Sequence, residues 1–325
     1  MEMILLSFAL KHPVAFLLFI IGASFIILLK AADYLVSAVT SYAKKLGISD
    51  YLIGVIIIAL GASLPELISS LMGVVANESG IIFGTIVGSN ICGLTLVLGM
   101  LAIVGKRIPI KVRVLKKTGI IIFALSMLPF IFALNGVIGK IEGSVLVLCW
   151  IAYNFFLWKK EGELGKIKHK VALKKIWHDG LIAVIALLAI ILSGRWLVFS
   201  SIKLSELLMI SPYVIAVTVL GLGTQIPDLA VSLRGLKKGH QDIAFADILG
   251  SLITKSLLFL GIFSLLIPLR IKFLELIGGF IFTGIALGYA LICTRKGVIK
   301  SLNGLLLIIL YLGFFGYVLV ISRLI

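Results

Sequence analysis

Two carboxylates sit where a carboxylate is costly. Glu66 lies in YLIGVIIIALGASLPELISSL and Asp228 in YVIAVTVLGLGTQIPDLAVSL, each directly after a proline inside an apolar run. An ionised side chain in mid-membrane costs a few kcal/mol on the insertion scale, so two at matching positions point to function. Hydroxyls stand nearby: Ser63 and Thr224 precede the prolines, and Ser89 and Ser251 lie in the runs that follow, GIIFGTIVGSNICGLTLVLG and DIAFADILGSLITKSLLFLG. Carboxylates, hydroxyls and freed carbonyls are the oxygen ligands that hard cations such as Ca²⁺ prefer. The second run adds a third carboxylate, Asp247, and a cation, Lys255. These residue types point to cation binding. An alternative for the two carboxylates is pairing with a basic residue to hold helices together.

The elements that carry these residues are a duplicated unit. A constant offset of 162 positions takes Tyr51 to Tyr213, Gly61 to Gly223, Pro65 to Pro227, Glu66 to Asp228, Gly88 to Gly250, Ser89 to Ser251 and Gly99 to Gly261. Internal duplication in a membrane chain points to a transporter with its site where the halves meet. Proline removes a helical hydrogen bond and frees a carbonyl, so bends or breaks are expected at Pro65 and Pro227, helped by Gly61 and Gly223. Gly88 and Gly250 let helices approach closely or the backbone unwind.

Composition places the whole unit in lipid. Hydrophobic residues make up 61% of the 325 and charged residues 14%, against roughly 25% charged in soluble domains. Ten spans are expected, about 13–40, 51–76, 80–104, 118–136, 139–158, 180–201, 211–235, 241–267, 271–293 and 301–322, each near the ~20 residues that cross a bilayer. Twenty-one of the 30 Lys and Arg residues fall in the connections after the odd-numbered spans. The positive-inside rule then puts those connections in the cytoplasm and both termini outside. Five spans per half is an odd number, so the halves enter the membrane in opposite orientations. The fold class is an all-α polytopic membrane protein of about ten transmembrane helices in two inverted five-helix repeats. The first repeat is 1–158, a basic cytoplasmic linker is 159–179, and the second repeat is 180–325.

Several function classes drop out. The net charge of +16 lies in loops beside apolar spans, which indicates membrane topology rather than nucleic acid. The N-terminus lacks the basic start and small-residue site of a cleavable signal. Cys92, Cys149 and Cys293 have no spacing for a disulfide framework or zinc and read as packing residues. His12, His169, His178 and His240 lie near loops without metal spacing. Lys30, Asp33 and Arg195 are expected towards the ends of the first and sixth spans. No nucleophile-base set or phosphate loop is present, so neither an enzyme nor a cofactor is expected; the ligands would be transported cations and the surroundings lipid.

The paired stretches are similar to the two α-repeats of the cation/calcium exchanger superfamily, which includes the sodium/calcium exchangers. Its pattern, G-T/S-S-x-P-E followed by G-N-x-x-G-S-N-I once per half, is matched by G-A-S-L-P-E with G-T-I-V-G-S-N-I, and by G-T-Q-I-P-D with A-D-I-L-G-S-L-I. The resemblance covers nearly the whole chain. It implies ion sites between helices two, three, seven and eight, with the first and sixth helices sliding over the rest. It assigns Ca²⁺ to Glu66 and Asp228, and Na⁺ contacts to Ser63, Thr224, Ser89 and Ser251. The chain departs from the pattern at Ala62, Gln225, Thr85, Gly93 and Asp247, and most of all at Lys255, where the family commonly has Asp.

An ammonium in the site should pair with Asp228, Glu66 or Asp247, since unit charges 4 Å apart attract by about 4 kcal/mol at an effective dielectric near 20. Lys255 would then stand in for one bound Na⁺, or couple transport to a proton. The function expected is secondary antiport of Ca²⁺ or a related cation against Na⁺, with Lys255 setting the stoichiometry. The alternatives are a proton-coupled exchanger, or a non-transporting binding or regulatory protein on the same scaffold, in the cell membrane in each case.

Overall fold

A computed structural model of the chain describes residues 12–45, 63–109, 113–161, 176–237 and 241–323. Expectations at Tyr51, Gly61, Ala62, His169 and His240, and most of the linker, lie outside the described residues. The helices are α1 (Pro13–Lys45), α2 (Leu64–Val75), α3 (Ser79–Gly105), α4 (Arg113–Phe132), α5 (Lys140–Glu161), α6 (Ile176–Leu208), α7 (212–237), α8 (241–266), α9 (Phe273–Lys296) and α10 (Ser301–Ile321). Eight of them are long and apolar enough to cross a membrane; α2, described over 12 residues, and α5 are outside that set.

Helices α1 and α6 are longer than expected, at 33 residues each. At 1.5 Å per residue each is about 50 Å long, well over a ~30 Å hydrocarbon core, so each must tilt or overhang. Their length corrects one expectation: Lys30, Asp33 and Arg195 lie near the middles of these helices and are exposed, not at their ends. The two helices pack together around Ile21, Leu28, Ile190 and Leu197, a cluster separate from the main core. That main core is built on α3 and α7 to α10, with Ile86, Leu94, Val217, Leu257 and Leu287 among its buried residues. A helix satisfies its own backbone groups, as a membrane requires.

Two short antiparallel ladders close the helix ends and carry the symmetry. β1 (Arg107–Pro109) pairs with β4 (Val298–Lys300), and β2 (Val137–Ile138) pairs with β3 (Leu269–Arg270). Shift the pair Arg107↔Lys300 by 162 positions, forward for one partner and back for the other, and the result is Leu269↔Ile138, which is also a pair. The pair Ile108↔Ile299 maps in the same way onto Arg270↔Val137. The halves therefore clasp each other through a two-fold relation that holds to the residue. Helix contacts repeat it to within one residue: Gly99 of α3 abuts Gly304 of α10, and Gly261 of α8 abuts Gly143 of α5, next to the Glu142 that the offset gives.

Candidate functional site

The polar residues of the motifs are carried by helices whose backbone departs from regular α geometry. Among the described residues, three five- or six-residue π stretches occur, at Gly93–Val97 in α3, Ala216–Leu220 in α7 and Thr254–Phe259 in α8. The first and third occupy repeat-related positions. Such wide turns insert a residue, re-aim the side chains after it, and recur at functional sites. Of the bend or break expected at the second proline, a break is absent: 221–237 is continuous α-helix through Pro227. One proline removes one hydrogen bond, which a helix held by its neighbours can absorb as a bend. Pro65 instead lies in the first turn of α2, where its missing N–H costs nothing.

Glu66 follows in that first turn and is fully buried. The positive end of the helix favours its charge. Two donors reach it, and one of them also bridges to Asp228. Gln225 Nε2 donates to Glu66 Oε1 at 3.0 Å and to Asp228 Oδ2 at 3.2 Å. Lys255 Nζ approaches the same Glu66 oxygen at 3.4 Å, with side-chain exposures of 2% for the lysine and 1% for the glutamate. Of the three carboxylates expected as partners for Lys255, Glu66 is the one it contacts. Asp228 is half-buried on α7. Asp247 is exposed on α8, two turns before Lys255. Among the described residues no group of three or more His, Cys, Asp or Glu comes together as a metal cluster, so a cation at Glu66 and Asp228 would draw its remaining ligands from neutral oxygens.

Hydroxyl oxygens are carried by the neighbouring helices α3, α7 and α8. Ser89 donates to the Ile86 carbonyl and Ser251 to the Ile248 carbonyl, each at 3.1 Å and at repeat-related positions. Thr224 donates to the Gly221 carbonyl at 3.3 Å. Each hydroxyl thereby spends its proton backwards along its own helix and keeps its lone pairs for a cation or a donor. Ser63 is buried at the start of α2. Glu66 Oε2, Asn90 Oδ1 and the hydroxyls of Ser69, Ser70 and Thr85 are buried without a hydrogen-bond partner. Unsatisfied buried oxygens are costly unless a ligand serves them.

Glycines set the spacing between helices. A Cβ on Gly88 would lie 2.8 Å from Val217 Cα, and one on Gly221 2.8 Å from Gly88 Cα, so α3 and α7 cross backbone to backbone. At Gly223 the same atom would lie 2.6 Å from the ring of Phe25, which brings α1 onto α7 just before Thr224.

Two site features were missed from sequence alone. Gln225 stood out only as a departure from the exchanger pattern, although an amide three residues before Asp228 shares its helix face. The hydrogen bond from Asn90 Nδ2 to Ser256 Oγ, 2.9 Å, joins α3 to α8 across the halves and had no signal beyond two polar residues in apolar runs.

Residues 15–159 and 179–320 match the family model described as sodium/calcium exchanger protein, one segment per half. The chain belongs to that family. It is 31% identical to the sodium/calcium exchanger MaX1 of Methanosarcina acetivorans, over 93% of this chain and 97% of that one. It is 26% identical to the inner membrane protein YrbG of Escherichia coli, over 82% of this chain and 85% of the relative. Two solved folds superpose on it. The sodium-calcium exchanger NCX_Mj does so with a TM-score of 0.62 at 24% identity, over 92% of this chain and 97% of the other. The H⁺/Ca²⁺ exchanger CAX does so with a TM-score of 0.73 at 15% identity, over 99% of this chain and 91% of the other. At these identities the likenesses establish the fold alone. Family membership makes this chain a membrane antiporter of inorganic cations.

Proposed function

We propose that this protein exchanges Ca²⁺ or a related hard cation against Na⁺ at a mid-membrane site, and that the Lys255 ammonium holds one of the positions a transported cation would otherwise fill. The observation that carries this reading is the buried contact of Lys255 Nζ with Glu66 Oε1 at 3.4 Å. Glu66 and Asp228 are the metal ligands. Ser63, Thr224, Ser89 and Ser251 supply neutral oxygens, and Gly223 and Gly88 keep the helices close around them. Asp247, exposed on α8 one turn before Ser251, acts as a further carboxylate on the approach.

Formal charge explains why a lysine would change the cargo count. Two carboxylates hold two positive charges, and Lys255 already supplies one. Because a ligand moves a conformational equilibrium only through differential affinity, the exchanged ions must compete for this shared site. The separately packed pair α1 and α6 is the element that would slide over the rest. The same proposal includes the division into repeats 1–158 and 180–325 about a cytoplasmic linker 159–179, with both termini extracytoplasmic in a cell membrane.

A second reading is favoured by the same contact. In it the arriving cation and the Lys255 ammonium compete for Glu66, and H⁺ replaces Na⁺ as the counter-ion. Radiolabelled Ca²⁺ uptake into proteoliposomes separates the two. Uptake that needs internal Na⁺ and is abolished by Glu66→Gln supports Na⁺ exchange. Uptake driven by a pH gradient without Na⁺ supports proton coupling, and no uptake under either gradient contradicts both.

A further inference from the structure

Gln225 occupies the carboxylates that a cargo cation needs. Its amide nitrogen carries two hydrogens, and one is committed to each acid: Glu66 Oε1 at 3.0 Å and Asp228 Oδ2 at 3.2 Å. The side chain is 4% exposed, so water cannot readily replace either bond. A hard divalent cation sits about 2.3–2.6 Å from its oxygens. It cannot take both oxygens while the amide nitrogen lies between them.

The other end of the amide is fitted as closely. Gln225 Oε1 lies against Gly93, where a Cβ would come within 2.8 Å of it. Gly93 opens the π stretch of α3, and its missing side chain is what lets an amide from α7 lie across the site. Both positions depart from the exchanger pattern, on opposite halves of the chain. Glu66 belongs to α2, Gln225 and Asp228 to α7 and Lys255 to α8, so the amide and the ammonium together tie three helices to the carboxylate pair.

We propose that Gln225 is a tethered competitor: its amide closes the Glu66–Asp228 pair in the cation-free protein, and cation entry must swing it out, so that Gln225 and its Gly93 seat set the affinity of the site. This inference rests on the proposed role of Glu66 and Asp228 as cation ligands. Hydrogen bonds to charged groups are the strong class, so loss of the bridge should lower the apparent dissociation constant by about tenfold or more.

The test is the Ca²⁺ concentration that half-maximally raises the melting temperature of the detergent-purified full chain, at constant ionic strength with N-methylglucamine chloride. Gln225→Met keeps the length and removes the donors. Gly93→Ala pushes the amide away without altering any group on the cation, and if it fails to fold, Gln225→Met carries the test. The expected result is a lower cation-free melting temperature together with a roughly tenfold lower Ca²⁺ midpoint. A midpoint that is unchanged or higher in Gln225→Met overturns the inference, because Gln225 is then a bystander or itself a ligand. Normal wild-type flux with an unchanged midpoint sinks this inference alone. Absent wild-type flux with no Ca²⁺ response in any variant sinks the antiport proposal with it.

Discussion

Replacing Lys255 by Met removes the ammonium while keeping the length of the chain that carries it. At 3.4 Å and an effective dielectric near 20, the attraction to Glu66 is about 5 kcal/mol. Both side chains are almost fully buried, and removing one partner of a buried pair typically costs about 3–5 kcal/mol because the other charge is left uncompensated. The cation-free Lys255→Met protein should therefore lose about 3–5 kcal/mol. A cation able to enter the emptied position restores part of that: at a concentration one hundred times its dissociation constant it contributes about 2.7 kcal/mol. Thermal melting in detergent, in N-methylglucamine chloride with and without NaCl or CaCl₂, reads both effects. The melting temperature should fall in the absence of cations, and Na⁺ or Ca²⁺ should raise it more than in the wild type. Adding Glu66→Gln should recover much of the loss, since no buried charge then stands alone. Melting of Lys255→Met within about 1 kcal/mol of the wild type, with the same cation response, would refute a seated ion pair.

Further outcomes follow from packing and charge. A Cβ on Gly304 would lie 2.5 Å from the Gly99 carbonyl oxygen, so Gly304→Ala should destabilise the protein by about 1–3 kcal/mol. Gly316→Ala, with nothing within 4 Å, should be neutral or stabilise by up to ~1 kcal/mol; paired thermal melts compare them. Outside the spans, Glu78 titrates above its ordinary value, first because it is partly desolvated and then because Glu206 is nearby. A carboxyl raised in the fold binds more protons there than in the unfolded chain, so its contribution is full at low pH and is lost as pH rises from the ordinary value through the raised one. Glu78→Gln should flatten that part of the pH–melting curve, and Glu206→Gln should shrink it; an unchanged slope in Glu78→Gln would assign it elsewhere.

How much of this could be read from the sequence depended on whether the signal was repeated or spatial. The offset of 162 between Glu66 and Asp228 also governs the ladder pairs Arg107↔Lys300 and Leu269↔Ile138, yet two- and three-residue strands have no alternation to betray them. Apolar length located the helices but understated α1 and α6, which run beyond 40 and beyond both 180 and 201 into polar residues that a count against bilayer thickness leaves out. Pairing of Lys255 with a carboxylate followed from electrostatics alone, and the choice of Glu66 required the re-aimed π stretch Thr254–Phe259. Asp247 shows the converse: its type suggested the site, and its helix face turns it outward. Gln225 was legible only as a departure, since the contact that gives it meaning joins positions 66, 93, 225 and 228 from three helices.

If Lys255 stands in for a transported cation, the coupling stoichiometry must record it. Reversal potentials of Na⁺-driven Ca²⁺ flux in proteoliposomes count the ions exchanged per cycle, in the wild type and in Lys255→Asp. If the ammonium fills an ion position, Lys255→Asp should move at least one more Na⁺ per Ca²⁺ than the wild type. Equal stoichiometry in two active proteins would contradict the claim and leave Lys255 as a structural partner of Glu66.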